Sequence, residues 1–202
     1  MRKNIVFCLR NCGWLALFAT LMMWAGTDRP KPSDSWLILP GGGGAITATT
    51  TRRDLVARYG AANVVDQDID VGEGNSEPGT ILFPNDPQRR IEILWKDDST
   101  KLAPRFLAIY GKSSLWNTVH GISLGTSLKE LEKLNGHPFS VAVGTDQTGW
   151  VFSWDGGTLD KEVKSRGVDI SLDDRNSLSS QSSDPVMQKT NPRVDGIHWN
   201  FP

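Results

Sequence analysis

The residues of this chain best suited to chemistry form an acidic segment at positions 66–77. Its carboxylates stand at positions 1, 3, 5 and 12 of the segment, as Asp66, Asp68, Asp70 and Glu77. This spacing is typical of a calcium loop, because the hard Ca²⁺ ion takes about six to eight oxygen ligands. The four carboxylates are therefore the candidate metal site of the sequence, and calcium is the candidate cofactor.

Two departures weaken the calcium interpretation. Val71 occupies the loop position that requires Gly for a sharp turn, and no second helix follows the segment. The alternative is a β-strand whose solvent-exposed face carries the three aspartates, while Val65, Ile69 and Val71 form its other face. The sequence favours this strand over a bound cofactor.

Other reactive side chains are scattered along the chain. The three histidines, His120, His137 and His198, lack the spacing of a metal site, so we expect them in loops or at edges. No Gly-x-Ser-x-Gly motif frames a serine nucleophile, and paired acids such as Asp97 and Asp98 stand in turn sequences. The sequence therefore predicts no catalytic residue.

Tryptophan is the remaining anomaly, with eight in the chain. Exposed Trp side chains anchor protein partners, whereas buried ones fill the core of a small domain. We expect Trp95 and Trp154 in the core, because they close two equivalent strand patterns. Trp116 and Trp150 stand beside polar or glycine neighbours, and we predict that they are exposed and bind a partner.

A repeat organises the elements that must position these residues. Residues 45–60 and 121–136 align without a gap, which indicates that one supersecondary unit is used twice. Each copy contains an N-cap hydroxyl, an acid three residues later and a terminating glycine: Thr51, Asp54 and Gly60 in the first, Ser127, Glu130 and Gly136 in the second. Helices this short need a sheet to dock on.

Strand patterns follow both helices, as at residues 90–95, where apolar and polar residues alternate. We predict an α+β fold, in which two tandem helix-plus-antiparallel-strand repeats form one sheet with the short helices on one face. Repeat 1 spans residues 45–120 and repeat 2 spans 121–160. A C-terminal extension, 161–202, adds a Ser-rich mobile loop at 173–184 and an edge strand, and the structure of 173–193 is left open.

The second copy resembles a known family. Its pattern, Gly-Ile-x-x-Gly-Thr-Ser-x-x-Glu-Leu-x-x-x-Asn-Gly-x-Pro at 121–138, looks like the start of the helical segment in the SmpA/OmlA envelope lipoproteins. The β-lactamase-inhibitor proteins use similar tandem units, with a short helical segment followed by antiparallel strands. The match covers about twenty residues in each copy. The resemblance implies an exported binding or scaffold domain that uses the open face of its sheet.

The first 26 residues have the features of an export signal. Arg2, Lys3 and Arg10 precede an apolar run at 13–24, and small residues follow it. Because bulky residues end the run, an uncleaved inner-membrane anchor formed by 13–24 is the alternative. Residues 27–44, rich in Pro and Gly, are predicted to be a linker. Both cysteines lie in the signal, so the exported domain has neither disulfides nor a thiol nucleophile.

Composition narrows the functional classes. The net charge is -1, without the basic face that a nucleic-acid-binding protein needs. The function predicted is that of a secreted or periplasmic non-enzymatic domain that binds a protein or a cell-envelope component through its sheet face. The membrane is contacted only through the N-terminal segment, if this is not cleaved. The alternatives are an envelope hydrolase with carboxylates near 66–77, and a calcium-stabilised structural module.

Overall fold

The computed structural model describes residues 36–39, 41–144, 148–163, 167–173 and 177–201. The predicted export signal and the first part of the predicted linker lie outside the described residues. The helices are α1 (Arg52–Tyr59), α2 (Leu128–Asn135), α3 (Thr158–Glu162) and α4 (Pro185–Thr190). The strands are β1 (Leu37–Leu39), β2 (Gly42–Gly43), β3 (Ile46–Thr47), β4 (Val64–Gly72), β5 (Asn75–Leu82), β6 (Ile91–Trp95), β7 (Pro104–Tyr110), β8 (Asn117–Thr118), β9 (Ser140–Val143), β10 (Gly149–Ser153), β11 (Val168–Leu172) and β12 (Val194–Asn200).

Most of these strands form one sheet of eight, in the order β4-β5-β6-β7-β12-β11-β10-β9. Every neighbouring pair in it is antiparallel. The four short strands make a second sheet, in the order β3-β2-β1-β8. Helices together with a large antiparallel sheet in one domain confirm the α+β class.

Both predicted capping boxes are present at the starts of α1 and α2. The Thr51 hydroxyl accepts a hydrogen bond from the Asp54 backbone N–H, and the Asp54 carboxylate accepts one from the Thr51 backbone N–H. Ser127 and Glu130 repeat this arrangement at α2. Two otherwise unsatisfied backbone donors are paired at each helix start, so local sequence alone fixes where these helices begin.

The core lies between the helices and one face of the large sheet. Leu55 of α1 and Leu131 of α2 are buried in the same apolar cluster as Ile91 and Ile93 of β6. Trp95 closes this strand, and its indole N–H donates to the Thr80 hydroxyl at 2.9 Å. Trp95 and Trp154 are both buried, as predicted. Burial of this face stabilises helices that are too short to form alone.

The predicted linker is wrong over its last residues. Gly42 and Gly43 form β2 and are buried, and β1 precedes them in the same small sheet. A Cβ atom on Gly43 would lie 2.9 Å from Cζ2 of Trp199 and 3.3 Å from Cζ3 of Trp116. Glycine is needed at this position because two indole rings pack on the backbone, and flexibility is not its role.

The predicted C-terminal edge strand is also wrong. Strand β12 lies in the centre of the large sheet, between β7 and β11, and both β11 and β12 come from the predicted extension. Ile197 and Trp199 face the core, while His198 is buried on the opposite face. Burial on both faces is what a central strand requires, and the sequence pattern suggested only one buried face.

The Ser-rich segment is packed against α2 over its described part. The Ser182 side chain is fully buried, accepts a hydrogen bond from the Phe139 backbone N–H at 2.8 Å and donates to Glu132 Oε1 at 2.6 Å. Asp184 then caps α4. Residues 177–184 are therefore a fixed connection, in contrast to the predicted mobile loop, because a buried hydroxyl supplies contacts that composition does not reveal.

None of the helices in the described part of the chain combines the length and the apolar character required to span a bilayer.

Candidate functional site

The face of the large sheet that points away from α1 and α2 carries a row of four residues on adjacent strands. In this row Tyr110 of β7 is paired with Gly196 of β12, Gly196 with Ser171 of β11, and Ser171 with Trp150 of β10. Side chains of directly paired residues project from the same face of a sheet. Two large aromatic rings therefore flank two of the smallest residues, and both small residues are buried.

Glycine at position 196 is required by this arrangement. A Cβ atom there would lie 2.4 Å from the Ser171 hydroxyl oxygen and 3.2 Å from Cδ1 of Tyr110. The Tyr110 ring thus lies directly over the backbone of β12. A larger residue would displace the ring, so the sequence of β12 is adapted to hold an aromatic side chain on this face.

His198 lies on the same face, two residues along β12 from Gly196. Its ring centroid is 4.6 Å from that of Trp150, 4.9 Å from that of Tyr110 and 5.4 Å from that of Phe106. These separations are typical of packed aromatic pairs. We call the four residues Phe106, Tyr110, Trp150 and His198 the aromatic cluster, and the sheet face that carries them the aromatic face.

The imidazole of His198 is held in its neutral form. Only 7% of the residue is exposed, and this burial lowers the pKa of His198 to about 4. Within the described part of the chain its Nε2 atom has no hydrogen-bond partner. A buried ring nitrogen without a partner costs free energy, which makes the position unusual for a purely structural residue.

The aromatic cluster lines a concave pocket of about 580 Å³. The tip of the β4–β5 hairpin forms another wall, with Asp70 and Glu77, and Arg105 of β7 completes it. The aromatic face is thus a partly filled depression with an apolar floor, a polar rim and aromatic side chains available for contact.

The potential on this face is negative around Tyr110. Burial raises the pKa of Tyr110 to about 12, and the carboxylates of Glu92, Asp70 and Asp195 add to the rise because they oppose a second negative charge. Glu92 is partly compensated by Arg90, whose Nη2 lies 2.7 Å from its carboxylate. Glu77 is compensated by Arg105, with which it forms an ion pair.

A larger depression of about 760 Å³ lies beside the start of α2. Its charged lining has mixed sign, with Lys112, Lys133 and Arg193 near Glu130, whose carboxylate is used in the capping box. Arg193 also donates to the Gly125 carbonyl at 2.8 Å. Because Glu130 and Arg193 already serve local structure and no Phe, Tyr or Trp lines this depression, the aromatic face is the better candidate.

The predicted calcium loop has a different geometry from the one its spacing suggested. Asp66, Asp68 and Asp70 all lie in β4, and Glu77 lies in β5, so that the segment is an antiparallel hairpin. In the described residues, no group of three or more His, Cys, Asp or Glu side chains is placed to hold a metal ion. The four carboxylates are spread along two strands, because each residue of an extended chain advances by about 3.3 Å.

Asp66 has a structural role in this hairpin. It lies 2.8 Å from Arg52 Nε and 3.0 Å from Lys101 Nζ, and it accepts a hydrogen bond from the Thr80 hydroxyl. Partial burial acts to raise the pKa of Asp66, but hydrogen bonds from Arg52, Lys101 and Thr80 outweigh it and lower the pKa. A carboxylate held ionised in this way ties α1 to the sheet and is unsuited to act as a general acid.

The two tryptophans that were predicted to bind a partner differ in their burial. Trp116 is only 1% exposed and packs between Trp36 and Trp199, so the prediction of an exposed Trp116 is wrong. Its polar neighbours reflect the turn that carries it, and its indole N–H donates to the Arg89 carbonyl at 3.0 Å. Trp150 is half-buried and lines the pocket on the aromatic face.

Sequence reasoning missed His198, which was expected in a loop or at an edge. The alternation of Ile197 and Trp199 around it does mark a strand, and histidine between two core residues was the available signal. Trp150 and Phe152 were assigned to the same face as Trp154. The pairing of β9 and β10 is irregular between Val151 and Ser153, and this bulge turns Trp154 to the core.

Comparison with known proteins gives little further information. No protein-family model matches the chain, and no curated protein matches it. Among solved structures it is similar to the uncharacterized protein yfeY from Escherichia coli, with 11% sequence identity and a TM-score of 0.49. The similarity covers 80% of this chain and 97% of that chain. A likeness at this level carries no argument about function.

Proposed function

We propose that this protein is an exported, non-enzymatic domain that binds a protein partner through the aromatic face of its large sheet. The observation that carries the proposal is the pocket of about 580 Å³ that Tyr110 and Trp150 line. Rings of Tyr and Trp supply large contact areas at a small cost in conformational entropy, and they dominate measured binding hot spots. A partner side chain that enters this pocket would contact both rings.

The exposure of this face supports the same proposal. Tyr110 leaves 46% of its surface exposed on this face. Together with Phe106, Trp150 and His198 it lines the pocket on the aromatic face. Surfaces of this kind on otherwise polar domains are typical of interaction sites.

We also propose that the domain consists of two tandem units, as in the SmpA/OmlA and β-lactamase-inhibitor proteins that its helix motif resembles. In support, α1 precedes β4, β5, β6 and β7, whereas α2 precedes β9, β10, β11 and β12. The two sets of strands meet at the β7–β12 pair in the centre of the sheet. On this proposal the second unit continues beyond residue 160 to the end of β12, and the aromatic cluster lies at the junction of the units.

Export is the part of the proposal that rests on sequence alone. The basic residues ahead of the apolar run at 13–24 support a signal that directs the chain out of the cytoplasm. Intact mass measurement of the protein recovered from a producing cell would distinguish cleavage near residue 26 from an uncleaved anchor. Recovery of the full-length chain in the cytoplasmic fraction would contradict export.

The binding proposal can be tested without knowing the natural partner. Short random peptides displayed on phage would be selected on the full chain, and the dissociation constants of the selected peptides would be measured. Truncation of a hot-spot aromatic residue costs about 2 kcal/mol or more. We therefore expect Trp150→Ala to weaken peptides bound on the aromatic face by about thirtyfold.

Val186→Ala provides the matched control, because Val186 is an exposed apolar residue of α4 that lies outside the aromatic face. This variant should leave the same dissociation constants within about twofold. The proposal fails if no peptide is enriched, or if the enriched peptides bind the Trp150→Ala variant as well as they bind the original chain.

A further inference from the structure

The pocket on the aromatic face has a charge that its own residues do not balance. Its charged lining consists of Asp70, Glu77 and Arg105. Glu77 and Arg105 form an ion pair and neutralise each other. Asp70 forms no ion pair with any described residue, and its Oδ1 accepts a hydrogen bond from the Gly72 backbone N–H at 2.8 Å. Asp70 is thus the charged group of the lining that has no oppositely charged partner among the described residues, and a cationic ligand could balance it.

The aromatic walls favour a cation as well. A cation within about 6 Å of the face of a Trp or Tyr ring is attracted by the negative potential of the ring. The carboxylates of Asp70, Glu92 and Asp195 make the potential around Tyr110 negative, so they attract a cation just as the rings do. The aromatic rings and the carboxylates of this face therefore both attract a cationic group, and they repel an acidic one.

His198 adds a position for a hydrogen-bond donor. Its Nε2 atom has no partner among the described residues, and the residue lines the pocket at 7% exposure. A neutral imidazole has one acceptor nitrogen, and in the tautomer in which this is Nε2, an N–H group in the pocket can be its partner. The ammonium of lysine and the guanidinium of arginine combine positive charge with N–H donors.

We infer that the pocket between Tyr110 and Trp150 takes the basic side chain of an extended peptide segment, with its charge balanced by Asp70. This inference rests on the proposed function and names the chemistry of the partner. The aliphatic stem of the side chain packs against the rings of Tyr110 and Trp150, beside Phe106, which also lines the pocket. The charged end points toward the β4–β5 hairpin, and the flanking peptide backbone runs across the strands.

The test uses the peptides selected on the full chain whose binding depends on Trp150. We expect them to share a Lys or Arg, and we expect replacement of that residue by norleucine to raise the dissociation constant by about tenfold. The Asp70→Asn variant removes the charge and keeps an acceptor for the Gly72 N–H. It should weaken the basic peptide by about fivefold and leave the norleucine peptide unchanged.

Asp68→Asn is the matched control. Asp68 lies on the same strand and is exposed, but it does not line the pocket. It should change binding of the basic peptide by less than about twofold. Trp150-dependent peptides that lack a basic residue, or that tolerate norleucine and Asp70→Asn, would overturn the inference and leave the proposed function standing. Absence of any Trp150-dependent peptide would overturn both.

Discussion

Replacement of His198 by phenylalanine should remove a pH dependence of stability that this residue imposes on the domain. The pKa of His198 is lowered to about 4 by burial, against an ordinary value of 6.5. Well above pH 6.5 the imidazole is neutral in both the folded and the unfolded chain, so it contributes no pH dependence there. As the pH falls from 6.5 to 4, the unfolded chain gains a proton that the folded chain does not bind.

The free energy of unfolding therefore falls with decreasing pH in this window. A difference of about 2.5 pKa units corresponds to about 3 kcal/mol, lost at up to about 1.4 kcal/mol per pH unit, and the loss is complete below pH 4. Phenylalanine cannot be protonated and can occupy the same place among Phe106, Tyr110 and Trp150. The variant should lack this decline between pH 6.5 and pH 5, where paired carboxylates are still ionised.

The assay is urea unfolding followed by tryptophan fluorescence at pH 7, 6, 5 and 4.5, on the original chain and on the His198→Phe variant. His198→Gln is a second variant, polar but without a proton to gain, which separates charge from packing. Both variants should become less pH-sensitive than the original chain. If all three chains lost stability in parallel between pH 6.5 and pH 5, the conclusion that His198 is buried and neutral would be wrong.

Three further predictions concern the small sheet, the start of α2 and the β4–β5 hairpin. Gly43→Ala should lower the free energy of unfolding by about 1–3 kcal/mol in urea titrations, because its Cβ would lie 2.9 Å from a Trp199 ring carbon; an unchanged midpoint would contradict the packing of β2. Ser127→Ala should cost about 1 kcal/mol through the lost N-cap, whereas Lys129→Ala in the same helix should cost less than about 0.5 kcal/mol. Millimolar calcium should leave the Tm unchanged, because the carboxylates of the β4–β5 hairpin are spread along two strands; a rise that is abolished by Asp68→Asn would restore the calcium site.

The sequence was sufficient for features whose causes are local. The capping boxes at Thr51 and Ser127 were predictable because a hydroxyl, a backbone N–H and an acid three residues later satisfy one another within a single turn. The α+β class followed from short capped helices that alternate with strand patterns. The burial of Trp95 followed from apolar alternation along β6, whereas Trp154 reaches the core because of the bulge in β10.

Tertiary structure decided which residues share a face. Tyr110, Gly196, Ser171 and Trp150 come from four strands, and only the strand order brings them into one row. Nothing local distinguishes Trp116, which is enclosed by distant rings, from Trp150, which lines a depression. Partners separated by many residues are selected by packing of the whole sheet, and no single segment contains that information.

The same division explains the acidic segment and the glycine run. By itself the sequence determined the identity and spacing of Asp66, Asp68 and Asp70, and this spacing suits a loop around a cation as well as the wet face of a strand. Pairing with β5, together with the cations of Arg52 and Lys101, decided for the strand. Gly43 was predicted to belong to a linker, and the packing of Trp199 on its backbone gives it a place in a sheet instead. The residue types limited the conformations that these segments could adopt. Long-range contacts determined which of those conformations forms, because most of the stabilising free energy comes from burial against distant parts of the chain.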